Sequence, residues 1–293
     1  MPSSVVVLGG GVIGCEFASV WRSFGADVTI VEALPRLVAA EDAASSKALE
    51  RAFRKRKIDF RTSTRFSSVE HTDDGVRVTV ESDKGEQTID AELLLVAVGR
   101  GPVTDGLGYA EAGLEMDRGF VTTDERCRTN LEGVYAVGDI VPGPQLAHRG
   151  FAQGVFVAEE IAGLGPVPVD DEAVPKVTYS RPEVASVGLS EEAARERFGE
   201  VETLTYDLGG NGKSQILKTQ GFVKLVRRTD GPVVGVHMVG DRVGELIGEA
   251  QLIYAWEAHA EDVAPLVHAH PTQNEALGEA HLALAGKPLH AHS

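Results

Sequence analysis

Cysteine is scarce in this chain. Its 293 residues include 2, Cys15 and Cys127. That number cannot build a disulfide framework, and it points to a reducing compartment, the cytoplasm. Basic charge is also in short supply, with 28 Lys and Arg against 44 Asp and Glu for a net charge of −16. Such a balance argues against nucleic acid or an anionic membrane surface as partner, and fits a soluble enzyme or one drawn to a basic protein. No apolar run approaches the roughly 20 residues of a membrane span, and no secretory leader is expected ahead of the first strand. Internal repeats and low-complexity linkers are missing too; Gly209-Gly210-Asn211-Gly212 is a short loop. With 43% hydrophobic and 25% charged residues the composition is that of a globular chain, long enough for two domains and a third piece.

Two stretches carry chemistry. At the start, the apolar run Ser4-Val5-Val6-Val7-Leu8 predicts a buried parallel strand, and Gly9-Gly10-Gly11-Val12-Ile13-Gly14 follows it into a segment of helical spacing. Gly9, Gly11 and Gly14 match G-x-G-x-x-G, in which the glycines permit a tight turn, close backbone approach to a pyrophosphate, and close helix–strand packing. A second strand, Asp27–Val31, ends at Glu32, where a carboxylate can take both hydroxyls of an adenosine ribose. Glu32 favours NAD over NADP because a 2′-phosphate would meet negative charge, and Arg36 is the basic residue near that position.

Near the other end the chain reads His268-Ala-His270-Pro271-Thr272-Gln273-Asn274-Glu275. A residue before proline is pushed out of the helical region and proline suits a first helical turn, so a helix is expected to begin at Pro271. Glu275 would then lie a little over one turn inside it, within reach of one nitrogen of His270. A carboxylate on one ring nitrogen fixes the tautomer and makes the other a better base, the wiring of a general acid/base. A metal site could be drawn from His268, His270, His281, His290 and His292, but no cysteine joins them, several lie near the tail, and no metal is expected.

Between these ends, Ala43–Lys57 reads as a helix. Short strands are expected around Ser68, Val76–Val80 and Thr88–Ile89, with Asp73-Asp74-Gly75 and Lys84-Gly85 as hairpin turns. Leu93–Val98 reads as a buried central strand stopping at Gly99-Arg100, and Val134–Val137 as a strand ending in Gly138-Asp139. Further strands are expected at Val174–Tyr179, Phe222–Val226 and Val233–Val239, and helices near Val243–Ala258 and Asn274–Ala285.

In this order the motifs resemble the pyridine nucleotide–disulfide oxidoreductases, most closely their dihydrolipoyl dehydrogenase branch. The carriers are the glycine turn, Gly99-Arg100, Thr129-Asn130-Leu131-Glu132-Gly133-Val134-Tyr135-Ala136-Val137-Gly138-Asp139 and His-Pro-Thr-x-x-Glu, from Val5 to about Pro288. The resemblance implies an α/β fold: a Rossmann-type NAD-binding domain over 1–115, a second segment of an FAD-binding domain over 116–170, and an α+β interface (dimerisation) domain over 171–293. It implies that Gly9, Gly11, Gly14 and Glu32 bind NAD, that Gly99 lies against the nicotinamide, that Asp139 holds the ribityl–phosphate side of FAD, and that a turn at Ala147 and His148 approaches the flavin. His270 and Glu275 would be the catalytic dyad, delivered across a two-fold homodimer into the partner's site, and the partner enzyme would be the lipoyl-bearing acyltransferase of 2-oxo acid dehydrogenase complexes.

Three departures accompany the resemblance. Arg100-Gly101-Pro102-Val103 stands where the family has Arg-Pro-Asn, and Gln153 stands where an acidic residue is usual. More important, the family's first glycine fingerprint for FAD and its Cys-x-x-x-x-Cys pair are not in this sequence. The expectation is therefore a C-terminal part of such an enzyme, binding NAD and dimerising but inactive alone, with FAD held only by the intact enzyme. A non-catalytic dinucleotide-binding or dimerisation module, and a related disulfide reductase of the glutathione or mercuric type, are the alternatives.

Overall fold

The computed structural model describes residues 1–290. These gather into two units, Met1–Gly99 with the described residues from Pro175 onward, and Arg100–Val174.

The chain opens with β1 (Ser4–Leu8), α1 (Val12–Ser23), β2 (Asp27–Val31), α2 (Ala43–Lys55) and β3 (Ile58–Arg61). A meander of β4 (Arg65–Thr72), β5 (Gly75–Ser82) and β6 (Gly85–Ala91) precedes β7 (Leu93–Val96). β1, β2, β3 and β7 form a parallel sheet in the order β3-β2-β1-β7. Why β1 is apolar throughout follows from the two-residue period of a strand. Val5 and Val7 join a core with Ile30, Leu49 and Phe53, while Val6 and Leu8 join Val78 and Val80 of β5 on the opposite face. Both faces are covered, so no polar position survives. The strand expected to be central and buried, Leu93–Val98, is corrected: β7 stops at Val96, pairs with β1, lies at the sheet edge, and leaves Val96 and Val98 exposed. An apolar run fits a half-covered edge as well as a centre, so hydrophobicity did not separate the two. β3 was not foreseen; the basic run before it drew the helix through Lys57.

Arg100–Val174 carries little regular structure: the short pair β8 (Met116–Asp117) and β9 (Phe120–Val121), a 3-10 turn at Gly138–Ile140 and α3 (Ala147–Ile161). Val121, Ala136 and Val141 make its small core. The strand expected at Val134–Val137 is a single bridge between Tyr135 and Arg128. Ala147 and His148, read as a turn, are instead the first residues of a 15-residue helix.

From Pro175 the chain forms β10 (Lys176–Thr178), β11 (Glu183–Gly188), α4 (Glu191–Phe198), β12 (Val201–Asp207), α5 (Gly212–Leu217), β13 (Phe222–Arg228) and β14 (Val233–Gly240). Helices α6 (Val243–Ala255), α7 (Ala260–Val263) and α8 (Glu275–Leu284) complete it. The strands make an antiparallel sheet, β10-β11-β14-β13-β12. β14 is buried along its whole length, and Leu225, Val236 and Met238 pack with Ile247, Ile253 and Leu277 of the helices.

Two devices tie this segment to the first. Val184 and Val239 complete the apolar cluster of β1, β2 and α2. Lys224 Nζ donates to both oxygens of Asp42 at 2.9 and 3.0 Å and reaches Glu191 at 2.7 Å. Asp42 also accepts from the N–H groups of Ala44 and Glu191, at 2.9 and 3.0 Å, so it caps α2 while holding α4. Burial pushes its carboxyl up, but Lys224 and the Glu191 N–H outweigh that and hold it below the ordinary carboxylate range. Among the described residues no helix is long and apolar enough to cross a membrane.

Candidate functional site

The glycine turn links β1 to the N-terminus of α1, as its spacing required. Gly9 sits at φ +100, where its N–H donates to Val31 O at 2.8 Å. A Cβ on Gly9 would lie 2.2 Å from Ala97 O, and one on Gly14 would lie 1.9 Å from Gly9 O. Both glycines are therefore dictated by packing against backbone. Gly11 differs: its φ is an ordinary −73 and a Cβ there would meet nothing within 4 Å. It is the N-cap of α1, no side chain caps the helix, and its first turn holds no acid. Open amide groups, the positive end of the helix dipole and free space beside Gly11 fit the pyrophosphate of a dinucleotide.

Glu32 lies at the end of β2 with its carboxylate turned onto the turn. Oε2 accepts from Gly10 N–H at 2.6 Å and Oε1 from Leu34 N–H at 2.7 Å. This fixes the negative charge beside the glycines and leaves each oxygen a further lone pair for a hydroxyl. Arg36 points elsewhere: its Nη2 donates to the carbonyls of Ala39 and Glu41 at 3.0 and 3.4 Å. Its guanidinium is thus engaged by backbone carbonyls of the segment that follows Glu32. Gly99, at φ +132, stands in open space just beyond β7.

In the second unit, Asp139 lies on the 3-10 turn and accepts from Arg100 Nη2 at 2.8 Å. Ala147 and His148 are exposed at the start of α3, whose N-cap Leu146 supplies no capping side chain. Gln153, the departure noted in the sequence, accepts from Gly138 N–H at 2.8 Å and so anchors the 3-10 turn to α3. An amide oxygen accepts here as a carboxylate oxygen would.

The His270 loop is organised differently from its expectation. No helix begins at Pro271; the helix is α8 and Glu275 is its first residue. Thr272 Oγ1 donates to Ala269 O at 2.6 Å, and Thr272 N–H donates to Glu275 Oε2 at 2.7 Å. These bonds close 269–275 as a turn ahead of α8. Thr272 N–H and the Glu275 carboxylate thus hold the turn that leads into α8. The pair itself is formed: His270 Nδ1 lies 2.9 Å from Glu275 Oε1, and 77% of the His270 side chain is exposed. Since a carboxylate can only accept, Nδ1 carries the proton and Nε2 presents its lone pair outward. Burial pushes the Glu275 carboxyl up, but Thr272 N–H and His270 outweigh it and hold the carboxyl below its ordinary range.

The remaining candidates do other work. His281 is buried with Nδ1 2.6 Å from Leu277 O, His290 pairs with Glu279 at 2.8 Å, and His292 lies outside the described residues. Among the described residues no group of His, Cys, Asp and Glu could hold a metal. Both cysteines are free and buried. Cys15 Sγ donates to Gly10 O at 3.3 Å, and burial pushes its thiol up to about 12. Burial raises Cys127 as well. Neither offers a thiolate at neutral pH.

The pyridine nucleotide-disulphide oxidoreductase family matches residues 1–154, and the dimerisation domain of that family matches 174–281. The chain is 41% identical to a mitochondrial dihydrolipoyl dehydrogenase of Pisum sativum over 99% of its own length and 59% of the relative's. It is 39% identical to a dihydrolipoyl dehydrogenase of Bacillus subtilis over 99% of its length and 62% of that protein. The crystal structure of LpdA from Mycobacterium tuberculosis superposes with a TM-score of 0.89 at 29% identity, covering 97% of this chain and 62% of LpdA. The chain thus spans about three-fifths of the length of the relatives it matches.

Proposed function

This chain belongs to the pyridine nucleotide–disulphide oxidoreductase family, and from that premise we propose that it forms the NAD-binding, acid/base and dimerising part of a flavin-dependent dihydrolipoyl dehydrogenase. In that reading residues 1–115 hold NAD, 116–170 contribute to an FAD site, and 171–293 make a homodimer interface. The whole enzyme oxidises dihydrolipoamide carried on the acyltransferase of a 2-oxo acid dehydrogenase complex.

The observation that carries the proposal is the His270–Glu275 pair, with Nδ1 held and Nε2 facing solvent. Oxidation of a dithiol to a disulfide releases protons, so a base of near-neutral character must stand beside the sulfurs. His270 Nε2 accepts that proton and Glu275 stabilises the imidazolium, the division of labour in other carboxylate–histidine pairs. Gly9, Gly11 and Gly14 with the end of α1 hold the pyrophosphate, Glu32 takes the ribose hydroxyls and rejects a 2′-phosphate, and Gly99 leaves room at the nicotinamide end. Asp139, Ala147 and His148 face the flavin. When bound, the flavin and nicotinamide supply the two-electron transfer. The sulfur pair is not furnished by Cys15 or Cys127, both protonated and buried, so these residues alone bind and dimerise rather than turn over substrate.

The test is dihydrolipoamide-dependent reduction of NAD by the flavin-loaded protein that contains this chain, run beside NADP. Reduction of NAD with a strong preference over NADP is the expected outcome. Equal use of both nucleotides removes the role of Glu32, and no reduction with dihydrolipoamide removes the substrate.

A further inference from the structure

The His270–Glu275 pair hangs from a loop, and a catalytic base needs a fixed direction. His270 is largely exposed, so packing contributes little to holding its ring. Something else must hold 268–274 in place, and a second carboxylate does so. Glu249, on α6, accepts at Oε1 from His268 Nε2 at 2.8 Å, and at Oε2 from Asn274 Nδ2 in a shorter contact. Its two oxygens therefore grip the loop on either side of His270.

Two observations show that the loop is built for this grip. Asn274 is the N-cap of α8, a position where asparagine normally caps the helix with its side-chain oxygen. Here it makes no such bond, and its amide reaches Glu249 instead. Gly278 lies inside α8, where glycine costs about 0.5–1 kcal/mol relative to alanine. A Cβ there would come within 2.6 Å of His268 Nδ1, so the helix gives up a side chain to seat that ring. A third anchor, Asn211 Nδ2 donating to Thr272 O at 3.0 Å, holds the middle of the loop.

We propose that Glu249 is a positioning residue for the acid/base pair: by clamping His268 and Asn274 it fixes the loop so that Glu275 holds His270 in the Nδ1–H tautomer. The proposal rests on the acid/base reading of His270. Glu249 touches neither reacting atom nor nucleotide, and it acts through the direction in which Nε2 faces.

The experiment is ring 15N NMR of the full chain above neutral pH, reading the tautomer ratio of His270 in the native sequence, Glu249→Ala, Glu249→Gln, Asn274→Ala and Glu275→Gln. A charge-assisted bond to Glu275 favours the Nδ1–H form by about ten-fold or more. Glu249→Ala is expected to cut that preference by about five-fold, and Asn274→Ala, which keeps the His268 contact, by less. Glu249→Gln, which retains an acceptor for Asn274, restores most of it. NAD titration by calorimetry and the unfolding midpoint report whether each variant is folded, and if Glu249→Ala is not, Asn274→Ala decides. An unchanged ratio in the folded variants overturns the proposal while leaving the dyad intact. A native ratio no different from that of Glu275→Gln overturns the dyad geometry and the proposal together. Normal turnover by His270→Gln in the dihydrolipoamide assay, with the ratios as expected, overturns only the acid/base reading.

Discussion

The glycine turn and the His270 loop are both tight connections into a helix, yet they are specified by opposite means. At the turn, backbone meets backbone: Gly9 faces Ala97 O and Gly14 faces Gly9 O with no room for a methyl group. At the loop, side chains do the holding: Glu275 takes His270 and Thr272, and Glu249 takes His268 and Asn274. A site that must cradle a bulky anion with its amide groups gains from having no side chains. A site that must move a proton needs titratable groups, and those need partners to aim them. The first arrangement is rigid through steric exclusion, the second through polar bonds that solvent can compete for.

The largest effect that separates them is on turnover. His270→Gln in the dihydrolipoamide-oxidising protein is expected to slow kcat by about 10²–10⁴-fold, the range for a lost general acid/base, while NAD affinity and thermal stability barely move. A variant that loses NAD affinity to the same degree would mean that the two regions are not independent. Gly14→Ala should do the reverse. Its methyl group has backbone on one side and Val7 on another, so we expect a loss of about 1–3 kcal/mol or more in denaturant unfolding, together with loss of NAD binding by calorimetry. Gly11→Ala sharpens the contrast within the turn itself, because its Cβ would enter open space. Stability should fall by only about 0.5 kcal/mol, from exchanging one N-cap for a poorer one, while NAD affinity weakens through the lost approach. Unchanged NAD affinity in Gly11→Ala would show that the open space is not where the nucleotide lies.

The smallest effect is on acid behaviour. Glu275 has a folded-state pKa below its ordinary value, so what it adds to the loop is fully present above the usual carboxylate range and is lost as pH falls through the lowered value. Amide-exchange protection of Thr272 should therefore persist as pH falls past the ordinary glutamate midpoint near 4.3 and fail only at the lower folded-state value. Protection of Gly9, whose bond runs to Val31 O, should outlast it.

Sequence made the turn far more legible than the loop. Gly9, Gly11, Gly14 and Glu32 are local in the chain and each has a mechanical reason, so spacing alone placed them. His270 and Glu275 were also found from spacing, but their setting differs from the expectation, because Pro271 suggested a helix start whereas α8 begins at Glu275. Glu249 could not be found that way: it sits 19 residues before His268, on α6, and only the fold brings it to the loop that leads into α8. The errors at Val134–Val137 and at Val98 have one cause. A valine-rich run says that a segment is partly buried, whereas strand pairing and its extent are decided by neighbours distant in sequence. Gln153 is a different case: its departure from the family pattern was legible in the sequence, and its bond from Gly138 N–H was not.

The bond from Lys224 to Asp42 spans 182 residues of chain and lies in a core that Val184 and Val239 also complete. On a ribosome, the N-terminal strands and α2 emerge long before those partners exist. Until β13 and β14 follow, Asp42 can cap its helix but has no cation to meet, and one flank of the apolar cluster around Leu49 and Phe53 faces water. Contacts this distant in sequence form late and slowly, and exposed apolar surface in the interval invites association with other chains. The nascent protein therefore passes through a period in which its glycine turn can be shaped while the apolar cluster it packs on is still unfinished, and that interval is where a chaperone would have most to do.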